Sequence, residues 1–306
     1  MNFKSSNYSH IKKKYLKFLK KKEVAGKPLK DKIVKLNTFY LPLSQWIYLT
    51  YKKDNKIKII GLSGGQGAGK STITAILKFI LKKKYGLDLC VFSIDDFYKT
   101  KAERKKMSKN IHPLFLTRGV PGTHDVNLIN KIFRSLKKKT FKQVLIPRFN
   151  KLTDDRFKKS KWIKVKKRPS VIILEGWCVG ARHQKDLDLK KPLNLIERKY
   201  DTNLEWRKKV NNHLKRNYKK LFNKMDKLVY LKAPSFNHIF QWRIHQEQKL
   251  KLTSKNKKTM SKSQIREFIM FYERITRHMM KDYSNISDLT IFLDKKHGSK
   301  KMNFYN

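Results

Sequence analysis

GLSGGQGAGKST, Gly61–Thr72, follows the apolar run KIKII and leads into ITAILKFILKK. The spacing Gly64-x-x-x-x-Gly69-Lys70-Ser71 between a strand-like run and a helix-like run is that of a phosphate-binding loop. Glycines let the backbone N–H groups of such a loop turn inward as an anion nest, and the helix start behind it adds its positive end. The spacing therefore predicts that Gly64, Gly65, Gln66, Gly67, Ala68, Gly69, Lys70, Ser71 and Thr72 line a nucleoside triphosphate site. Lys70 would bridge the β- and γ-phosphates there, and Ser71 would ligate Mg²⁺. Outward from the loop, Ile73, Ile76, Leu77, Ile80 and Leu81 recur at helical spacing as one apolar face.

Further β-rich runs are expected at Lys56–Leu62, Leu87–Ile94, Gln143–Phe149, Val171–Leu174, Leu228–Lys232 and Leu289–Leu293, alternating with helical patterns. A helix is expected to begin near Asp125, with longer ones across Leu204–Phe222 and Ser263–Met280. Alternation of this kind predicts an α/β three-layer sandwich, a mostly parallel sheet covered on both faces. The economical division is a helical N-terminal extension over 1–55 and a single α/β domain over 56–306.

Two strand ends carry carboxylates. VFSIDDFYKT (Val91–Thr100) delivers Asp95 and Asp96 where α/β sheets place their ligands, and VIILEGW (Val171–Trp177) ends in Glu175. Transfer of a phosphoryl group to a hydroxyl needs a carboxylate to orient the alcohol and take its proton, which makes Asp95 the candidate base. Asp96 is a metal-water or cap partner. Taken alone the pair also reads as helix N-caps. Glu175, costly at the end of a buried strand unless solvated or paired, is the candidate to meet Mg²⁺ through water.

The chain of 306 residues carries a formal charge of +52. Such charge invites a nucleic-acid partner, but the 61 lysines are spread nearly evenly, 9 to 12 in each successive block of about fifty residues, whereas a binding stripe would concentrate them. A guanine-nucleotide switch is excluded: no Asp stands three positions before any glycine, and NKMD (Asn223–Asp226) precedes a strand instead of following one. Cys90 and Cys178 fall in apolar segments and read as reduced core thiols. No apolar run is long enough to span a bilayer. The basic N-terminal stretch MNFKSSNYSHIKKKYLKFLKKK, free of Arg, reads as a helix docked on the domain of a cytoplasmic protein, with an organellar leader as the alternative.

Together GLSGGQGAGKST, SIDDFY, HPLFLTRGVPGTHDV, IPRFNK, ILEGWCVGAR and APSFNHIFQWRIHQEQKL resemble the P-loop kinases of the uridine kinase and phosphoribulokinase superfamily, and within it the D-glycerate 3-kinase family. The resemblance runs from about Ile59 to the C-terminus. It implies a P-loop kinase sheet with a helical lid at about 235–262, ATP and Mg²⁺ as cofactors, and transfer of the γ-phosphoryl group to a small hydroxy acid, D-glycerate, to give 3-phosphoglycerate. By the same resemblance TRGVPGTHD is the acceptor-side loop, with Arg118 and His124 facing the substrate beside Asp96 and Tyr98. A carboxylate substrate wants a bidentate arginine, and Arg118, Arg148 and Arg156 are the candidates in that order. On the lid, Arg243 would close onto the phosphates as charge develops, while Trp242 reads as core packing. The chain departs from the family in two places. Asn150 stands in place of Asp, and only LTDDR comes after IPRFNK where the family has a longer glycine-containing segment before its Asp-Arg pair. That shortening leaves the acceptor open. A nucleoside or pantothenate is the alternative acceptor, and a nucleic-acid-directed P-loop protein is the reading from another class. The sequence says nothing of oligomeric state.

Overall fold

The structure is a computed structural model that describes residues 5–20, 31–253 and 259–305. Its main sheet is built from β1 (Lys58–Gly64), β2 (Leu89–Ser93), β3 (Val171–Gly176), β4 (Lys227–Lys232), β5 (Leu289–Leu293) and β6 (Ser299–Phe304). In space they run β6-β5-β4-β1-β3-β2, parallel throughout except for the β5/β6 edge pair. Successive residues of β3 point to opposite faces, so Ile172 and Leu174 enter one core and Val171 and Ile173 the other. Both faces are covered by helices, which gives the three layers expected.

The helices that matter here are α1 (Ser5–Lys20), α2 (Leu41–Lys52), α3 (Lys70–Tyr85), α4 (Lys101–Asn110), α5 (Val126–Lys137), α6 (Glu205–His213), α7 (Phe236–Thr253) and α8 (Lys262–Ile286). The apolar stripe of α3 serves two partners. Ile73, Leu77 and Leu81 pack on the sheet, whereas Ile76 and Ile80 receive Ile11, Tyr15 and Leu19 of α1. Residues 1–4 and 21–30 of the expected extension, and 254–258 of the expected lid, lie outside the described residues. No described helix is long and apolar enough to cross a membrane, and both cysteines are buried and free.

Two expectations are corrected. The run at Gln143–Phe149 does not join the main sheet. Pro147 interrupts it, and Val144–Ile146 pairs antiparallel with Ile163–Val165 while Phe149–Asn150 pairs with Asp155–Arg156 as a short hairpin. The sixth strand of the sheet is instead β6, SKKMNF, whose lysines on an exposed edge hide it from any apolar pattern. The helical span expected across 204–222 contains a π turn at Leu214–Tyr218, and Asp125 caps α5 by accepting from Leu128 N–H at 2.9 Å.

Asp226, the end of NKMD, accepts from Ile59 N–H at 2.7 Å and so fastens β1 at the end of the sheet opposite the phosphate-binding loop. That loop leaves the other end of β1, between β3 and β4, where the connections part to the two sides of the sheet. Crevices at such points are where open α/β sheets bind ligands.

Candidate active site

The phosphate-binding loop takes its shape from two glycines with left-handed backbones. Gly69 has φ +87° with open space around it, so its conformation alone demands glycine; Gly67 has φ +77° and lies against Trp242 of α7. The Lys70 ammonium donates to the carbonyls of Gly64 (2.7 Å) and Gly65 (3.1 Å). Burial pushes its pKa down, and the carboxylates of Glu175 and Asp95 oppose that shift. Gln66 and Ser63 keep buried side-chain polar atoms without a hydrogen-bond partner at the same place.

Sheet register brings the acids to this loop. Glu175 stands opposite Leu62 of β1 on one side and Ser93 of β2 on the other. Its Oε1 lies 3.5 Å from Ser71 Oγ, and its buried Oε2 has no partner. Burial raises the Glu175 pKa against the pull of Lys70. Among the described residues no group of three or more His, Cys, Asp or Glu could hold a metal by itself. A hydroxyl and one carboxylate with an unused oxygen suit Mg²⁺, which takes one or two protein carboxylates and completes its shell with phosphate oxygens and water.

Asp95 and Asp96 sit on the 3₁₀ turn Ile94–Phe97 that follows β2. Asp95 accepts from the Tyr98 hydroxyl (2.9 Å) and the Lys151 ammonium (3.3 Å). Burial would raise its pKa, but Lys151, His124, the Tyr98 hydrogen bond and Lys70 together bring it below the ordinary carboxylate value. Asp96 accepts from Phe149 N–H at 3.2 Å, and burial leaves its pKa raised.

The acceptor-side loop closes on itself. Thr123 Oγ1 accepts from Gly119 N–H (3.1 Å) and donates to Val120 C=O (2.7 Å), which presents His124 to Tyr98 and Asp95. The His124 ring stacks on Tyr98 with centroids 4.5 Å apart. Its Nδ1 lies 2.7 Å from the Tyr218 hydroxyl, which also accepts from Gly122 N–H at 3.0 Å. Burial lowers the His124 pKa to about 4, so the imidazole is neutral at pH 7, and its buried Nε2 has no partner. At neutral pH the cations acting on Asp95 are therefore Lys151 and Lys70.

The arginine candidates separate. Arg118 pairs with Asp154 and lies over the Phe149 ring, while Arg156 donates to Tyr98 C=O (2.9 Å) and pairs with Asp125 at 3.5 Å. Arg148 is exposed, its guanidinium 5.5 Å from the Phe157 ring, and its charge acts on Asp96. Arg243 on α7 is ion-paired with Glu247 one turn on (2.6 Å), and Glu247 accepts from Met260 N–H at 2.8 Å. Trp242 is buried, as expected.

Four residues of this region escape a reading of the sequence. Lys151 is one lysine among 61. Fully buried Arg104 donates to Lys99 C=O, Leu116 C=O and Asp154, fastening α4 to the hairpin; nothing in KAERKKMSKN marks it. Asp154 takes a left-handed backbone, φ 54°, and holds both Arg104 and Arg118. Tyr218 reaches the acceptor-side loop from the π turn, a distortion that recurs at functional sites and leaves no pattern in sequence.

A glycine-rich loop on a parallel sheet, its Lys and Ser near carboxylates from the next strand β3 and from β2 beyond it, defines a P-loop phosphotransferase site. The chain belongs to the phosphoribulokinase/uridine kinase family, whose model matches residues 59–239, and is a P-loop kinase of that family. It is 34% identical over 229 residues to the uncharacterized kinase mug58 of Schizosaccharomyces pombe, covering 72% of this chain and 80% of that protein. It is 29% identical over 224 residues to the chloroplastic D-glycerate 3-kinase of Arabidopsis thaliana, covering 70% of this chain but spanning 46% of that longer protein. Among solved structures the fold matches the D-glycerate 3-kinase of Cryptococcus neoformans with a TM-score of 0.73 at 22% identity, covering 87% of this chain and 99% of the other.

Proposed function

We propose that this kinase transfers the γ-phosphoryl group of Mg-ATP to a hydroxyl of D-glycerate, giving 3-phosphoglycerate. The observation that carries the reaction is the meeting of Lys70, Glu175 and Asp95 across β1, β3 and β2, a phosphate cradle facing a carboxylate held ionised. The acceptor rests on the likeness to D-glycerate 3-kinases and on the cluster in which Tyr98, stacked on His124, donates to Asp95, with Arg118 over the neighbouring Phe149 ring.

In this reading the loop amides and Lys70 hold the β- and γ-phosphates. Ser71 and Glu175 would hold the Mg²⁺, which supplies charge neutralisation between the phosphates. Asp95 accepts the proton of the attacking hydroxyl, its other oxygen steadied by a cation. His124, neutral at pH 7 and offering Nε2 beside Tyr98, orients the acceptor, and Arg118 takes its carboxylate with the guanidinium edge that Asp154 leaves free. Asp96 steadies the hairpin through Phe149. The lid is the part of α7 beyond Trp242, since Ile239 and Trp242 are packed on Gly65 and Gly67 and stay with the loop while α8 is held in the core by Tyr272, Ile275 and Met279. Arg243 reaches the phosphates by leaving Glu247.

The ion pair between Arg118 and Asp154 favours a second reading, an uncharged hydroxyl acceptor such as a nucleoside. A coupled ADP-release assay with Mg-ATP and D-glycerate, L-glycerate, uridine or pantothenate separates the two. Turnover with D-glycerate alone is expected. Turnover with uridine and none with D-glycerate would replace the acceptor and leave the kinase.

A further inference from the structure

We propose that Lys151 is a catalytic cation, bridging Asp95 and the phosphoryl group during its transfer. The proposal rests on the phosphotransferase reading but not on the identity of the acceptor. Lys151 closes IPRFNK and stands directly before LTDDR, the shortened segment in which this chain departs from its family's pattern. The turn that carries it is tied down on three sides. Phe149 N–H donates to Asp96, Asp154 is held by Arg104 and Arg118, and Arg156 reaches Tyr98 C=O and Asp125. A hairpin fastened in this way presents the Lys151 ammonium 3.3 Å from Asp95 Oδ2, although its side chain is 63% exposed.

The surroundings match a mobile phosphoryl group. The positive charge of Lys151 acts on Lys70, Asp96 and Glu175 as well as on Asp95, the carboxylate it meets at 3.3 Å. An ordinary surface ion pair contributes little to stability, and a lone exposed pair on a fold with 61 lysines would need no further account. Lys151 differs in its target, the carboxylate at the end of β2 that also accepts from the Tyr98 hydroxyl. A compact ammonium has three donors on a flexible stem. One can stay on Asp95 Oδ2 while the others meet the equatorial oxygens of the phosphoryl group.

In the step itself the acceptor oxygen forms a bond to Pγ, and the bond from Pγ to the bridging oxygen breaks with its electron pair going to ADP. The hydroxyl proton passes to Asp95. In flight the charge is spread over the equatorial oxygens of the phosphoryl group, and ammonium donors set beside Asp95 to meet them would be worth most in the transition state.

The test compares the parent chain with Lys151→Met and Lys151→Arg. Loss of one preorganised donor predicts that Lys151→Met lowers kcat by about 10²–10³-fold while the KM for ATP changes by less than about threefold, with Lys151→Arg recovering part of the loss. A second arm needs no acceptor: binding of Mg-ADP with and without aluminium fluoride, a mimic of the phosphoryl group in flight. The fluoride should tighten ADP binding in the parent, and Lys151→Met should lose most of that tightening while binding Mg-ATP as the parent does. A kcat within about threefold of the parent, or a raised acceptor KM with unchanged kcat, would overturn the proposal. If the parent ignores D-glycerate yet the fluoride tightening depends on Lys151, the acceptor reading fails and the cation stands. If D-glycerate is phosphorylated equally by parent and Lys151→Met, the reverse holds. A parent that neither turns over nor tightens would remove both.

Discussion

Asp95 and Asp96 are neighbours in sequence, yet the fold moves their ionisation in opposite directions. Asp95 is held ionised by Lys151, Tyr98 and Lys70, whereas burial dominates at Asp96. Asp95→Asn should therefore leave ATP binding intact and lower kcat by about 10²–10⁴-fold, the usual worth of a positioned base; near-full activity would refute its role. Lys70→Ala should abolish transfer, read in the same assay. His124 makes a thermodynamic prediction. Its folded pKa of about 4 lies below the ordinary histidine value of 6.5, so between those limits the unfolded chain binds a proton the folded chain refuses. Stability on this account falls as pH drops through that window, by about 1.4 kcal/mol per pH unit in its interior. Urea unfolding of the parent and of His124→Gln between pH 7 and pH 4 should show the smaller slope in the variant, and equal slopes would contradict the burial argument. The meeting of Lys70, Asp95 and Glu175 was legible in sequence because Lys70 opens the helix behind a glycine-spaced loop and the two acids stand at strand ends. Lys151 and Asp154 were not, because their meaning comes from a turn whose path only tertiary contacts define.

At the scale of elements, α7 and the phosphate-binding loop form one unit. A Cβ at Gly67 would stand 2.8 Å from Trp242 Cβ on a backbone with φ +77°, so Gly67→Ala should displace α7 and weaken ATP binding. Unchanged ATP affinity by calorimetry would separate the helix from the loop. A second joint is purely structural. Buried Glu197 accepts from Arg274 Nε (2.7 Å) and pairs with buried Arg207 (3.3 Å), joining α8 to the segment around α6. Glu197→Ala takes the carboxylate partner from Arg274 and leaves Arg207 with Asp201 alone, and should cost about 2–3 kcal/mol in urea unfolding, against under about 1 kcal/mol if the cluster were incidental. Periodicity made α3, α5 and α8 readable. It misled at Gln143–Phe149, where an apolar run found a local antiparallel partner, and it was silent on β6, an edge strand built from lysines.

A charge of +52 spread nearly evenly along the chain should make the folded molecule repel itself. Salt should raise the melting temperature as the screening length shortens from about 30 Å at 0.01 M to about 8 Å at 0.15 M. A melting temperature that falls or stays level over that range would point to attractive pairs outweighing the excess of lysine. The loop, the sheet and the kinase family were readable from GLSGGQGAGKST and its neighbours because a nucleotide site needs fixed spacing on one local strand–loop–helix unit. The cluster around Asp95 draws on β2, the loop 118–125, the hairpin and the π turn, and no local pattern records such a meeting. The most direct measurement is phosphorus NMR of the chain with Mg-ATP and D-glycerate. The account predicts ADP and a new phosphate monoester in equal amounts. ADP accompanied only by inorganic phosphate, with no ester formed from D-glycerate or any other hydroxyl acceptor offered, would contradict it.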